Sequence, residues 1–205
     1  MGFAELQWPN ENRHSTAGRD FHVKVCYFTS MTRFLRIIIS ILRALFRTRL
    51  APLDESVVHL RVLPHEADWS NVHQAIYPLY MEIGRWDVAI RNGLGRWMLK
   101  QRCAGILGAQ MIRYHRPLKR FQAFELRTRV LGWDKKWFYI EHHVESRGRT
   151  MAIGCIQLMF LDPQGKRVQP ATAVLACGGD ANSPPIDSIA ELFAQFAAAT
   201  DHPVL

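Results

Sequence analysis

The chain has 205 residues, 48% of them hydrophobic, enough for one domain with a sizeable core and a modest extension but too few for two full domains. With 26 Lys and Arg against 18 Asp and Glu, the formal charge of +8 favours anionic partners, which include a membrane surface, a nucleic acid or a phosphorylated small molecule. Cys26, Cys103, Cys155 and Cys177 form neither a CxxC pair nor a ligand cluster, and His22, Cys26, His59 and His65 lack zinc-finger spacing. Free thiols in a reduced, cytoplasmic compartment are expected, with no metal site.

Residues 1–30 show no sustained period and read as a loosely ordered extension; Met31 is a candidate translation start. From Arg33 to Arg47, the polar residues Arg33, Arg36, Ser40, Arg43 and Arg47 recur every three or four positions on one stripe of a helix. The remainder is a wide apolar face. The run is too short and too interrupted by arginine for a membrane span of about 20 residues, and it has no signal-peptide cleavage site. Two readings follow: a basic amphipathic helix (31–50) lying in a membrane surface, or a helix packed on the domain or on a partner subunit.

The compact domain is expected over 51–205. Val57 to Leu63 alternates as a first strand that Pro64 ends, and His65 to Tyr77 reads as a polar irregular loop. Pro78 suits the first turn of a helix that carries Leu79, Ile83, Trp86, Val88 and Ile90 inward and stops at Asn92-Gly93. Four strands are expected at Ala109 to His115, Phe124 to Trp133, Trp137 to Ser146 and Met151 to Leu161. In the second of them Phe124, Leu126, Thr128 and Val130 alternate with Glu125, Arg127 and Arg129, the pattern of a half-buried antiparallel strand. A final amphipathic helix covers Ile189 to Ala198. This order implies an α+β domain in which an antiparallel sheet wraps a central helix.

The stretch from Tyr114 to His143, with Leu131-Gly132-Trp133-Asp134 inside it, closely resembles the strand pair of hotdog acyl-CoA thioesterase-like proteins related to the mammalian thioesterase-superfamily members. Pro52-Leu53-Asp54-Glu55-Ser56, Met81 to Asp87 and Ser183-Pro184-Pro185 carry the resemblance further, over roughly 31–196. It implies a hotdog fold, a homodimer or dimer of dimers, and an acyl-CoA ligand, with coenzyme A as part of the substrate and no other cofactor. The family's loop before the helix reads approximately Asp-x-Asp-x-x-x-His-Met-Asn-Asn-x-x-Tyr. Anchored on Tyr77 and Gly84-Arg85, its histidine falls on Asn71, its two asparagines on His73 and Gln74, and its acids on His65 and Ala67, with Asp68 one residue later.

Thioester hydrolysis needs a group that activates water and donors for the oxyanion that develops. Asp68, Glu82 and His73 are the candidate bases. Asn71, Gln74 and Tyr77 are the candidate substrate-orienting residues, beside the N–H groups at the start of the Tyr77-Pro78 helix. Each has a plainer reading: Asp68 as a loop cap, Glu82 in an ion pair with Arg85, His73 as a structural hydrogen-bonding residue. No GxSxG is present. Arg116, in the run Arg113, His115, Arg116, Lys119 and Arg120, is a candidate for coenzyme A phosphates. Trp133, Trp137, Phe138 and Tyr139 lie in alternating strands and read as core or dimer contacts, so nucleic acid is not an expected partner. A non-catalytic acyl-thioester-binding or scaffolding protein at the membrane surface is the alternative reading.

Overall fold

The computed structural model describes residues 35–200. The chain divides into two units, 1–36 and 37–205, and the fold below is that of the second. The expected loose extension, the Met31 start, His22, Cys26 and Arg33 lie outside the described residues.

A helix, α1, covers 35–45. From Ile37 onward it buries its small residues, Ser40 and Ala44, and leaves Ile39, Leu42 and Leu45 exposed, with Phe46 just beyond its end 90% exposed. The domain follows as β1 (Ser56–Arg61), a two-stranded hairpin β2 (Ala67–Asp68) and β3 (Asn71–Val72), α2 (Tyr77–Arg91), α3 (Leu94–Gln101), β4 (Ala104–Tyr114), β5 (Ala123–Trp133), β6 (Phe138–Ser146), β7 (Arg149–Leu161), β8 (Arg167–Val168), α4 (Pro170–Ala176) and α5 (Asp187–Thr200). The main sheet has the order β1-β5-β6-β7-β4, antiparallel throughout, with β8 added to the end of β7. This is the hotdog arrangement.

The inward row of β5 is buried as its alternation requires, and α2 is buried nearly all round, as befits a helix enclosed by a sheet. Around its first half gather Tyr77, Tyr80, Met81, Phe124, Leu126 and Val144; around its second half gather Val88, Val130, Ile140, Ile156 and Phe160, together with Leu94 of α3 and Val174 of α4. Tyr139 points to the other face, where α5 covers it with Phe193, ring centroids 5.9 Å apart.

Four expectations need correction. The loop from His65 to Tyr77 is ordered, with 3-10 turns at Pro64–Glu66 and Gln74–Ile76 flanking the β2–β3 hairpin. Helices α3 and α4 were not expected. The strand expected from Ala109 begins at Ala104, because Gly108 forms a bulge at which pairing with β7 slips. Trp86 and Ile90 are half-buried rather than fully inward. Cys103, Cys155 and Cys177 are free, as expected; Cys155 is buried and the other two are partly so.

One charged knot fixes the helix to the strand before it. Asp87, 3% exposed, accepts from the Ser56 hydroxyl, from Arg91 Nη1 at 3.1 Å and from Arg47 Nη1 at 3.0 Å.

Candidate active site

The loop leading into α2 is built by its own side chains. Pro64 starts a 3-10 turn whose Glu66 is only 3% exposed, and its carboxylate accepts from the Leu63 amide at 2.7 Å and the Tyr80 hydroxyl at 2.9 Å. Sequence reasoning passed over Glu66. Its signal was a glutamate at the third position of a turn opened by proline, where a carboxylate reaches back to the preceding amide.

Beyond it, Asp68 and Asn71 face each other across the hairpin, with Trp69 98% exposed at the tip, and both are solvent-exposed. His73 is exposed and caps the next turn, its Nδ1 accepting from the Ala75 amide at 3.2 Å. Gln74 is exposed, and its carbonyl accepts from the Tyr114 hydroxyl at 3.5 Å. Tyr77 is buried; its phenol oxygen accepts from the Leu118 amide at 3.2 Å, and burial pushes its pKa above the ordinary phenol value. At the start of α2 the Tyr77 N–H already bonds the Gln74 carbonyl and Pro78 has none, which leaves fewer free donors there.

Glu82 stands apart from this loop, a little over one turn into α2. It is half-buried and opens on a cavity of about 210 Å³ between α2, α3 and the sheet. The lining is aliphatic and aromatic, including Leu94, Met98, Val130, Ile140, Leu158 and Phe160, and its two charged members are Glu82 and Arg85. No ion pair joins those two among the described residues, so the expected Glu82–Arg85 pair is not formed. Burial lowers the pKa of Arg85, and the nearby Glu82 charge partly restores it.

Beneath this part of α2 lies a polar pair that the sequence analysis did not single out. His142 of β6 is fully buried, with Nδ1 3.0 Å from the Thr128 hydroxyl. Its pKa is held well below the usual histidine value, first by burial and then by the positive charge of Arg85 and the neighbouring His143. The signal was its place in the inward row Ile140, His142, Val144.

At the far end of the sheet, the expected Arg116 lines an open groove of about 650 Å³. Lys119 and Arg120 come from the same loop, and Arg147 and Arg149 reach it from the β6–β7 turn. Among the described residues no group of His, Cys, Asp or Glu has metal-binding geometry.

The thioesterase-like superfamily model matches residues 62–178. Protein THEM6 of Danio rerio is 36% identical over 116 residues, covering 56% of this chain and 57% of that protein. Protein THEM6 of Xenopus laevis is 35% identical over 81 residues, 39% of each chain. The matched region thus spans little more than half of the first relative and about two fifths of the second. Among solved structures, the YbaW probable thioesterase from Escherichia coli aligns with TM-score 0.55 at 18% identity over 59% of this chain and 94% of its own. The hypothetical protein TT1821 from Thermus thermophilus aligns with TM-score 0.54 at 24% identity over 61% and 96%. At these identities the likeness is one of fold. The family match covers more than half of the sequence, and the chain belongs to the thioesterase-like superfamily.

Proposed function

We propose that the chain hydrolyses an acyl thioester of coenzyme A, with the acyl group in the cavity under α2 and Glu82 as the general base. The observation that carries this reading is a half-buried carboxylate opening, with Arg85 beside it, on a cavity otherwise lined by apolar side chains. Glu82 takes a proton from water, the water oxygen attacks the thioester carbonyl carbon, and the C–S bond breaks. The departing thiolate takes the proton back, leaving the free acid and coenzyme A. Asp68, Asn71, His73 and Gln74 shape the approach to α2 and are not assigned to the chemistry. A cavity of about 210 Å³ is below the roughly 300–1,000 Å³ of drug-sized sites, which favours a short acyl group or the end of a longer one.

The basic groove at Arg116 suits the phosphates of coenzyme A, since it gathers five cations from two segments. The outer edge of β4, exposed from Ala104 to Gly108, suits pairing with a second copy of the chain. The exposed row Ile39, Leu42, Leu45 and Phe46 favours contact with a membrane surface, and no described helix is long and apolar enough to cross one. A second reading, a non-catalytic acyl-thioester binder, draws on one observation: the polar residues of the α2 approach are engaged in turns.

An acyl-CoA panel, followed both by thiol release and by thermal shift, tests the two together. Release from the wild type that is lost in Glu82→Gln supports the enzyme. Stabilisation without release supports the binder, and no response in either assay removes the ligand class.

A further inference from the structure

Helix α2 crosses the sheet over His142. Gly84 approaches β5 so closely that a Cβ there would stand 2.2 Å from Thr128 Oγ1, and Met81 covers Gly154 of β7, where a Cβ would meet the thioether sulfur at 2.7 Å. Thr128, His142 and Gly154 are register partners across β5, β6 and β7, so the imidazole sits between the two points where the helix touches down.

Arg85 comes four residues after Met81, on the same side of α2, and lines the Glu82 cavity. Among the described residues, two buried side-chain polar atoms have no hydrogen-bond partner, and they are Arg85 Nη1 and His142 Nε2. They do not bond each other in this arrangement, but a guanidinium N–H and a bare imidazole nitrogen are complementary as donor and acceptor. Beside a guanidinium the imidazole stays neutral, and the tautomer that donates from Nδ1 to Thr128 leaves Nε2 bare as an acceptor, whereas the other tautomer sets a donor against a donor.

Resting on the hydrolytic reading above, we propose that Arg85 is a catalytic residue that donates to the thioester carbonyl oxygen at the Glu82 cavity, and that His142 is the positioning residue, its bare Nε2 accepting from the guanidinium once the thioester is bound and so aiming it. As water activated by Glu82 adds to the carbonyl carbon, negative charge gathers on that oxygen beside Arg85. The C–S bond then breaks and the carbonyl reforms.

The test uses the full chain and any acyl-CoA that the wild type cleaves. Arg85→Gln is expected to lower kcat by about 100-fold, the loss typical of one oxyanion donor, with KM little changed. His142→Leu is expected to lower kcat by about 10-fold through misaligned geometry, and His142→Gln, whose amide oxygen still accepts, to recover most of it. The double variant Arg85→Gln/His142→Leu should be no slower than Arg85→Gln alone, a non-additivity that a merely structural histidine would not give. Nitrogen-15 spectra of the histidines are expected to show His142 protonated at Nδ1 only. Arg85→Gln within threefold of wild-type kcat while Glu82→Gln is dead overturns the proposal and leaves the hydrolytic reading standing. An Nε2-protonated His142 overturns the positioning role even if a variant fails to fold. A wild type that cleaves none of the panel removes both readings.

Discussion

Gly84 lies so close over Thr128 that a methyl group on its α-carbon would come within 2.2 Å of the threonine hydroxyl and 2.9 Å of Leu126 Cδ2. Both neighbours are held in the strand that the helix must touch. Gly84→Ala should therefore destabilise the chain by about 1–3 kcal/mol, the usual range for overpacking. Gly154→Ala should be milder, because its contact at 2.5 Å is the flexible end of Met81. Urea midpoints measure both, and equal losses would contradict the contrast.

His142 gives a pH signature. Its folded-state pKa is depressed, so in the unfolded chain the ring takes up a proton near pH 6.5 while in the folded chain it stays neutral. The stability it contributes is intact above about pH 6.5 and declines as the pH falls below that, by up to about 1.4 kcal/mol per unit. The decline ends once the folded pKa is reached. Thermal melts of the wild type at pH 7.5, 6.5 and 5.5 should fall more steeply than those of His142→Leu, and parallel curves would count against this assignment.

Asp87 holds two guanidinium groups of unequal exposure, the Arg91 side chain at 6% and that of Arg47 at 36%. Removing the carboxylate strands a buried cation. Asp87→Ala should cost about 3–5 kcal/mol, as for other broken buried pairs, whereas Arg47→Ala should cost at most about 1 kcal/mol because its partner keeps Arg91 and water reaches the site. Chemical denaturation of the two variants distinguishes these outcomes.

The exposed loop residues should be dispensable for the chemistry. Asp68→Asn and His73→Ala are expected to retain hydrolysis within about threefold, against a loss of about 1,000-fold in Glu82→Gln, within the usual range for an acid–base group. Steady-state rates on one cleaved acyl-CoA decide it; a collapse in Asp68→Asn with Glu82→Gln intact would move the base to the hairpin.

Much of the fold was legible because it is written in local periods. The period-two row of β5 gave both its strand and its inner face, and Pro78 with Asn92-Gly93 bounded α2. The resemblance carried by Leu131-Gly132-Trp133-Asp134 and Ser183-Pro184-Pro185 has a physical cause that only the folded chain reveals. A Cβ at Gly132 would collide with Ser183 Oγ and Ile186 at 2.6 Å, the Trp133 amide bonds Ser183 Oγ at 2.8 Å, and Asp134 closes the β5–β6 turn by accepting from the Lys136 and Trp137 amides. The two motifs are each other's contact surface.

What was missed lies in two places. Helix α3 is short and follows directly on the stop at Asn92-Gly93, so Leu94, Trp97, Met98 and Gln101 fell in a stretch too brief for its period to stand out. Arg85 on α2 and His142 on β6 are far apart in sequence, and no local pattern announces that Arg85 Nη1 and His142 Nε2 are both buried without a hydrogen-bond partner. Motif alignment drew attention to the loop from His65 to Tyr77, whereas the cavity lies beside Glu82.

The central claim is that the acyl group occupies the cavity beneath α2 with its carbonyl at Glu82. A crystal structure of the full chain with a ketone analogue of acyl-CoA, in which a methylene group stands between the carbonyl carbon and the sulfur so that there is no thioester bond to cleave, tests it most directly. The acyl chain should lie among Val130, Ile140, Leu158 and Phe160 with its carbonyl facing Glu82 and Arg85. An analogue bound with its acyl chain anywhere else and this cavity unfilled would contradict it.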